Sequence, residues 1–65
     1  MTLEEKLDVY CYAYYVKCNP LVSDYEFDML ERKLGEGNTA RFRGNESEDA
    51  YPQKVKDDYE LLRQP

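Results

Sequence analysis

YYVKCNPLVSDYEFDML, residues 14–30, decides how this chain is read. Two tyrosines precede an Asn-Pro turn, and Ser23-Asp24 and then Asp28 follow it. Pro disfavours helical geometry in the residue before it, so a helix running into this stretch stops before Asn19-Pro20. Ser23 and Glu26 have the spacing of a capping box, with Val22 and Phe27 at the two positions of a hydrophobic staple, so a second helix starts at Ser23-Asp24. Asp24 lies in its first turn, where the helix dipole favours a negative charge. Phe27, Leu30 and Leu34 form its inward stripe, and Gly35 ends it.

Working outward, Thr2 and Glu5 make a T-x-x-E capping box, so the first helix begins near Leu3 and runs to about Lys17. Leu3, Leu7, Tyr10, Tyr14 and Cys11/Cys18 recur at three- and four-residue steps on one apolar face. Val9, Ala13 and Val16, flanked by Tyr12, form a second face on roughly the opposite side. A helix apolar on two sides needs two coverings. Residues 35–50, GEGNTARFRGNESEDA, read as a loop whose one large apolar residue is Phe42. Pro52 suits the first position of a third helix, about 52–63, with Val55, Tyr59 and Leu62 as its buried stripe. The expected fold is all-α: one domain, 1–65, with an antiparallel helical hairpin (about 3–17 and 23–34) and a C-terminal helix.

Composition narrows the chemistry. With 65 residues there is room for one core, and a domain of this size buries only about 60% of its unfolded surface. The chain holds 9 Lys and Arg against 14 Asp and Glu, a net charge of −5, so direct binding of nucleic acid is not expected. It has no histidine, which removes His-based acid–base catalysis and His-ligated metal. Two cysteines make neither a disulfide framework nor a zinc site. Cys11 and Cys18 are about 10 Å apart along a helix, too far to bridge, and are expected to be reduced and mostly buried. No targeting segment or membrane span is expected, which points to the cytoplasm.

The stretch 14–30 also carries the candidate chemistry. Asp24 and Asp28 lie four apart on one helix face, either solvated or accepting hydrogen bonds from ribose hydroxyls or a carboxamide. Tyr14 and Tyr15 end the first helix close to them, either as core or as faces that stack on a flat heterocycle. Arg41 and Arg43 flank Phe42 and serve solubility or meet a phosphate or an acidic partner. No Gly-rich phosphate loop and no Lys-x-Asp-Gly sequence is present, and neither catalytic nor metal-ligating residues are expected.

YYVKCNPLVSDYEFDMLERKL, residues 14–34, resembles the N-terminal helical subdomain of bacterial NAD-dependent DNA ligases, and the resemblance covers residues 3–34. Tyr14, Tyr15, Val16, Pro20, Val22, Ser23, Asp24, Glu26, Asp28, Leu30 and Leu34 fall in register with that family's pattern. The resemblance implies a subdomain that closes over the nicotinamide mononucleotide half of NAD. It implies that Tyr14 and Tyr15 contact the nicotinamide ring or its ribose, and that Asp24 and Asp28 hold ribose hydroxyls or the carboxamide. Family members usually have Tyr where this chain has Phe27, so one hydroxyl is lost from the implied ligand-binding set. Residues 35–65 have no counterpart, and 65 residues are too few for a complete ligase. The function so implied is a stand-alone ligase-like subdomain that binds the mononucleotide part of NAD without being catalytic alone. The alternative is a protein–protein interaction module, of a kind a phage encodes. It would dock on an adenylation domain or another nucleotide-handling protein through Val9, Tyr12, Ala13 and Val16.

Overall fold

The computed structural model describes residues 2–35 and 39–63. Residues 36–38 of the expected loop, and residues 1, 64 and 65 of the expected domain, lie outside the described residues. Three α-helices and no strand are present among the described residues: α1 (Leu3–Cys11), α2 (Asp24–Arg32) and α3 (Gln53–Leu62). None of them is long and apolar enough to cross a membrane.

The Thr2 capping box forms as the sequence predicts. Thr2 Oγ1 accepts from the Glu5 N–H (3.2 Å), and Glu5 Oε1 accepts from the Thr2 N–H (3.3 Å). The other carboxylate oxygen of Glu5 meets Lys54 Nζ of α3 at 2.7 Å, so one side chain caps α1 and ties α3 to it. At α2, Ser23 Oγ accepts from the Glu26 N–H (3.1 Å). Gly35 takes φ 117°, a left-handed value that suits glycine past a helix end.

The first helix reaches Val16, close to its expected end, but not as a continuous α-helix. From Tyr12 to Val16 it winds as a π-helix. The Lys17 N–H donates to the Tyr12 carbonyl five residues back (3.1 Å), and the Asn19 N–H to the Ala13 carbonyl six back (2.8 Å). Cys18 closes this end with φ 53°, a left-handed conformation that is uncommon outside glycine.

α1 packs against both α2 and α3, which answers the question of its two apolar faces. Leu7, Val9, Cys11, Tyr12 and Ala13 are all buried, together with Val55 and Tyr59 of α3 and with Ala40 and Tyr51. The Tyr12 ring meets the edges of Tyr51 (5.1 Å between centroids) and Tyr59 (5.3 Å). The surface expected to receive a partner at Val9, Tyr12, Ala13 and Val16 is therefore covered from within the chain: three of the four are buried and Val16 is half-buried.

Three further expectations change. Tyr14, assigned to the apolar core face, is 45% exposed, because the π winding carries it off the stripe that straight α-helical spacing would give. Cys18 is exposed rather than buried, since it lies past the helix end; Cys11 alone is a buried thiol. Leu62 is exposed, because it occupies the last turn of α3, beyond the part that meets α1.

Residues 39–45 are held by two buried carboxylates. Asp8 is 3% exposed and Glu31 5%. Arg41 grips Asp8 through Nη2 (2.7 Å) and Nε (3.2 Å). Glu31 accepts from the Ala40 N–H (2.7 Å) and from Arg43 Nη1. Between the arginines, Phe42 stacks on Tyr51 at 4.4 Å, and the Tyr51 hydroxyl donates to the Asn45 carbonyl (2.6 Å).

Two outcomes follow. Arg41→Ala strands a buried carboxylate and costs about 2–3 kcal/mol, whereas Asp8→Asn releases an arginine that is already two-thirds exposed and costs about 1 kcal/mol or less. Urea denaturation of both variants measures the order; equal costs would rule out this account of the loop. The second concerns acid. Hydrogen bonding to Lys54, then to Thr2, lowers Glu5 from an ordinary 4.5 to about 2. A depressed carboxylate stabilises the fold fully above about pH 4.5 and loses that contribution as pH falls toward 2. Melting temperature recorded between pH 6 and pH 2 should fall less steeply in Glu5→Gln than in the parent protein; parallel profiles would count against this linkage.

Candidate functional site

A cleft of about 290 Å³ opens between the end of the first helix, the turn at residues 20–22 and the N-terminal half of α2. Tyr14 and Tyr15 reach it from the π-helical segment, and Asp24, Phe27 and Asp28 from α2. All five residues singled out in the sequence thus border one cavity. Sequence reasoning did not place Tyr10, Arg43 or the turn residues Pro20, Leu21 and Val22 at this cleft, although it offered Arg43 a phosphate or an acidic partner; they complete the lining.

Local structure explains the convergence. In an α-helix, residues four apart share a face; in a π-helical stretch the register is five. Tyr15 thereby follows Tyr10 on the cleft side, and Tyr14 stands beside them, its ring edge-on to that of Tyr15 at 5.0 Å. On α2, Ser23 fixes the first turn, which sets Asp24 at the mouth and Asp28 one turn further along. Val22 and Phe27 are both half-buried and line the floor, as a hydrophobic staple would place them.

Hydrogen bonding divides the tyrosines into two groups. The core hydroxyls are engaged: Tyr12 donates to Glu48 Oε1 (2.8 Å), Tyr51 to the Asn45 carbonyl, and Tyr59 accepts from Asn19 Nδ2 (3.2 Å). Burial, then the Glu48 hydrogen bond, pushes the Tyr12 phenol above its ordinary value, and burial does the same to Tyr51. The cleft hydroxyls of Tyr10, Tyr14 and Tyr15 make no hydrogen bond among the described residues. Neither do the carboxylates of Asp24 and Asp28, which also lack ion-pair partners there and are exposed.

The cleft therefore presents aromatic faces, two free carboxylates, an apolar floor and one guanidinium. Chemically, such a set is suited to a flat ring carrying hydrogen-bond donors. Among the described residues that line it there is no serine, cysteine or lysine to act as a nucleophile. Cys11 lies elsewhere in the core, and burial, with the charges of Asp8 and Glu31 adding to it, pushes its thiol up to about 12. A thiol so raised supplies almost no thiolate at neutral pH. Among the described residues no group of three or more Asp, Glu or Cys is placed to hold a metal ion.

Arg43 and Glu31 left a faint signal in the sequence. Glu31 falls on the inward stripe of α2, four residues after Phe27 and three before Leu34. A carboxylate on an apolar stripe must find a cation or pay its desolvation, and the arginines around Phe42 are cations that the sequence left without a fixed role. Which of the two arginines pairs with which acid is not encoded in local spacing.

No protein-family model matches this chain, and no solved structure matches it. A segment of 32 residues, 49% of the chain, is 53% identical to the DNA ligase of Thermoanaerobacter sp. (strain X514). The same holds for the DNA ligase of Thermoanaerobacter pseudethanolicus (strain ATCC 33223 / 39E). The match spans only 5% of the length of either ligase. About half of this chain is thus similar in sequence to a short segment of DNA ligase.

Proposed function

We propose that the cleft binds the nicotinamide mononucleotide part of NAD and that the chain acts as a binding subdomain of a ligase-like system, without chemistry of its own. The observation that carries this reading is the set of unpaired polar groups on an aromatic cleft: Asp24, Asp28 and the hydroxyls of Tyr14 and Tyr15. The ligase-like segment supports it from the side of sequence.

The donor set suits the ligand. A nicotinamide ring offers a flat face for Tyr14 and Tyr15, and its carboxamide and ribose offer donors that two ionised carboxylates accept. A pyridinium ring adds positive charge, which aromatic faces and carboxylates both favour. Phe27 supplies contact area only, since it has no hydroxyl. NAD itself supplies the nucleotide that such a system transfers; the residues here bind and orient the mononucleotide half. The cleft is open on one side and near the small end of ligand pockets, which typically enclose about 300–1,000 Å³. Binding by this chain alone is accordingly weak.

The test is a proton–nitrogen correlation titration with nicotinamide mononucleotide up to millimolar concentration. The amides of Tyr14, Tyr15, Asp24 and Asp28 shift, and Asp28→Asn weakens the response by roughly five- to tenfold, the loss of one charge-assisted hydrogen bond at an exposed site. Unmoved resonances at saturating ligand would end this proposal. Phe27→Tyr puts a hydroxyl among groups that contact the ligand and should tighten binding by a few-fold, about one neutral hydrogen bond. If Phe27→Tyr binds more weakly than the parent, the assignment of that wall to the ligand fails.

A further inference from the structure

We infer that Arg43 is the anion-binding residue of this cleft and makes it selective for a phosphorylated mononucleotide over the corresponding nucleoside. This rests on the reading of the cleft just given, and adds a residue from outside the two helices that build its walls.

Arg43 borders the same cavity as Tyr14, Tyr15, Asp24 and Asp28, and among the described residues it brings the one positive charge to the lining. Its side chain is 49% exposed, so a ligand can reach it. One nitrogen, Nη1, is committed to Glu31. Nε and Nη2 make no hydrogen bond among the described residues. The guanidinium is therefore tied through Nη1 to a buried carboxylate and keeps Nε and Nη2 as remaining donors. Planar guanidinium donors match phosphate oxygens in pairs, which a lysine cannot do. The Ala40 N–H bond to the second oxygen of Glu31 keeps that anchor from turning.

Charge balance supports the same ligand class. Asp24 and Asp28 make part of the cleft repel a simple anion, so inorganic phosphate alone is poorly suited. A ligand with a cationic ring for the aspartates and tyrosines and an anionic group for Arg43 satisfies all of them. A nucleoside lacking the phosphate leaves Arg43 without its share.

The experiment compares nicotinamide mononucleotide with nicotinamide riboside, the same molecule less its phosphate, on the full chain at low and at moderate salt. The mononucleotide binds roughly five- to tenfold more tightly at low salt, and the gap narrows as salt screens the half-exposed contact. Arg43→Gln abolishes the gap, and Arg43→Lys keeps part of it. Because Arg43→Gln strands buried Glu31, a Glu31→Gln/Arg43→Gln variant, which retains an acceptor for the Ala40 N–H, repeats the measurement in a fold free of the buried charge. If both ligands bind the parent equally, or the double variant keeps the preference, Arg43 is not the anion site although the cleft still binds nicotinamide. If neither ligand binds, the reading of the cleft itself falls, and this inference with it.

Discussion

Two carboxylates in the interior, Asp8 on α1 and Glu31 on α2, hold the rest of the structure to the helical hairpin. Each is a liability alone, because moving a charge out of water costs several kcal/mol unless a partner and hydrogen bonds offset it. Their partners come from one short segment. Arg41 answers Asp8, while Arg43 and the Ala40 N–H answer Glu31. The segment between the arginines then has one register available to it. Shifting it by one residue would put Phe42 at a buried carboxylate. In the observed register Phe42 stacks on Tyr51, and the Tyr51 hydroxyl bonds back to Asn45. Tyr51 in turn sits two residues before α3, which covers the second face of α1. The net energy of such pairs is small. Their value here is specification of a loop with almost no apolar pattern.

What was legible in the sequence is what local physics decides. The Thr2 box, the Ser23 cap and the stop before Asn19-Pro20 each depend on residues within a turn of one another, and each formed. Val55 and Tyr59 face the core because helical spacing leaves them nowhere else to go. The departures come from terms that are not local. The π winding of residues 12–16 shows no Gly or Pro within it to announce it, and it is what takes Tyr14 out of the core stripe. The pairing of Asp8 with Arg41 spans 33 residues and that of Glu31 with Arg43 spans 12. Cys18 carries a left-handed backbone that the sequence would more readily give to glycine or asparagine. The five residues that the resemblance singled out border one cleft, because two helices joined by a short turn bring their facing ends together. The place of Arg43 beside them depends on the buried acids, which local spacing does not announce.

The tyrosines show how one residue type is divided between fold and site. Tyr12, Tyr51 and Tyr59 carry aromatic area into the core and satisfy their hydroxyls on Glu48, Asn45 and Asn19. They reach across α1, the loop and α3, and so do the work that larger apolar side chains do in bigger domains. The cleft tyrosines are the same side chain with hydroxyls that make no hydrogen bond among the described residues. That difference follows from the π segment, which turns residues 14 and 15 toward α2 while leaving Tyr12 facing α3. A chain apolar on two sides of one helix could have left the second for a partner. In this structure α3 takes that place.

The cleft itself is only partly enclosed, and that limits what these residues achieve together. Two walls come from rigid helical elements and a third from the arginine segment, but one side is open. Groups that bind a ligand weakly in water bind it strongly once the site is closed, because charge-assisted contacts gain as the local dielectric falls. On the proposed reading, Asp24, Asp28 and Arg43 are such groups, each accessible to solvent in the chain as it stands. A covering surface that excluded water would raise the worth of all three at once, without any change in their positions. On that reading, affinity is governed by whether a covering surface closes the open side of the cleft.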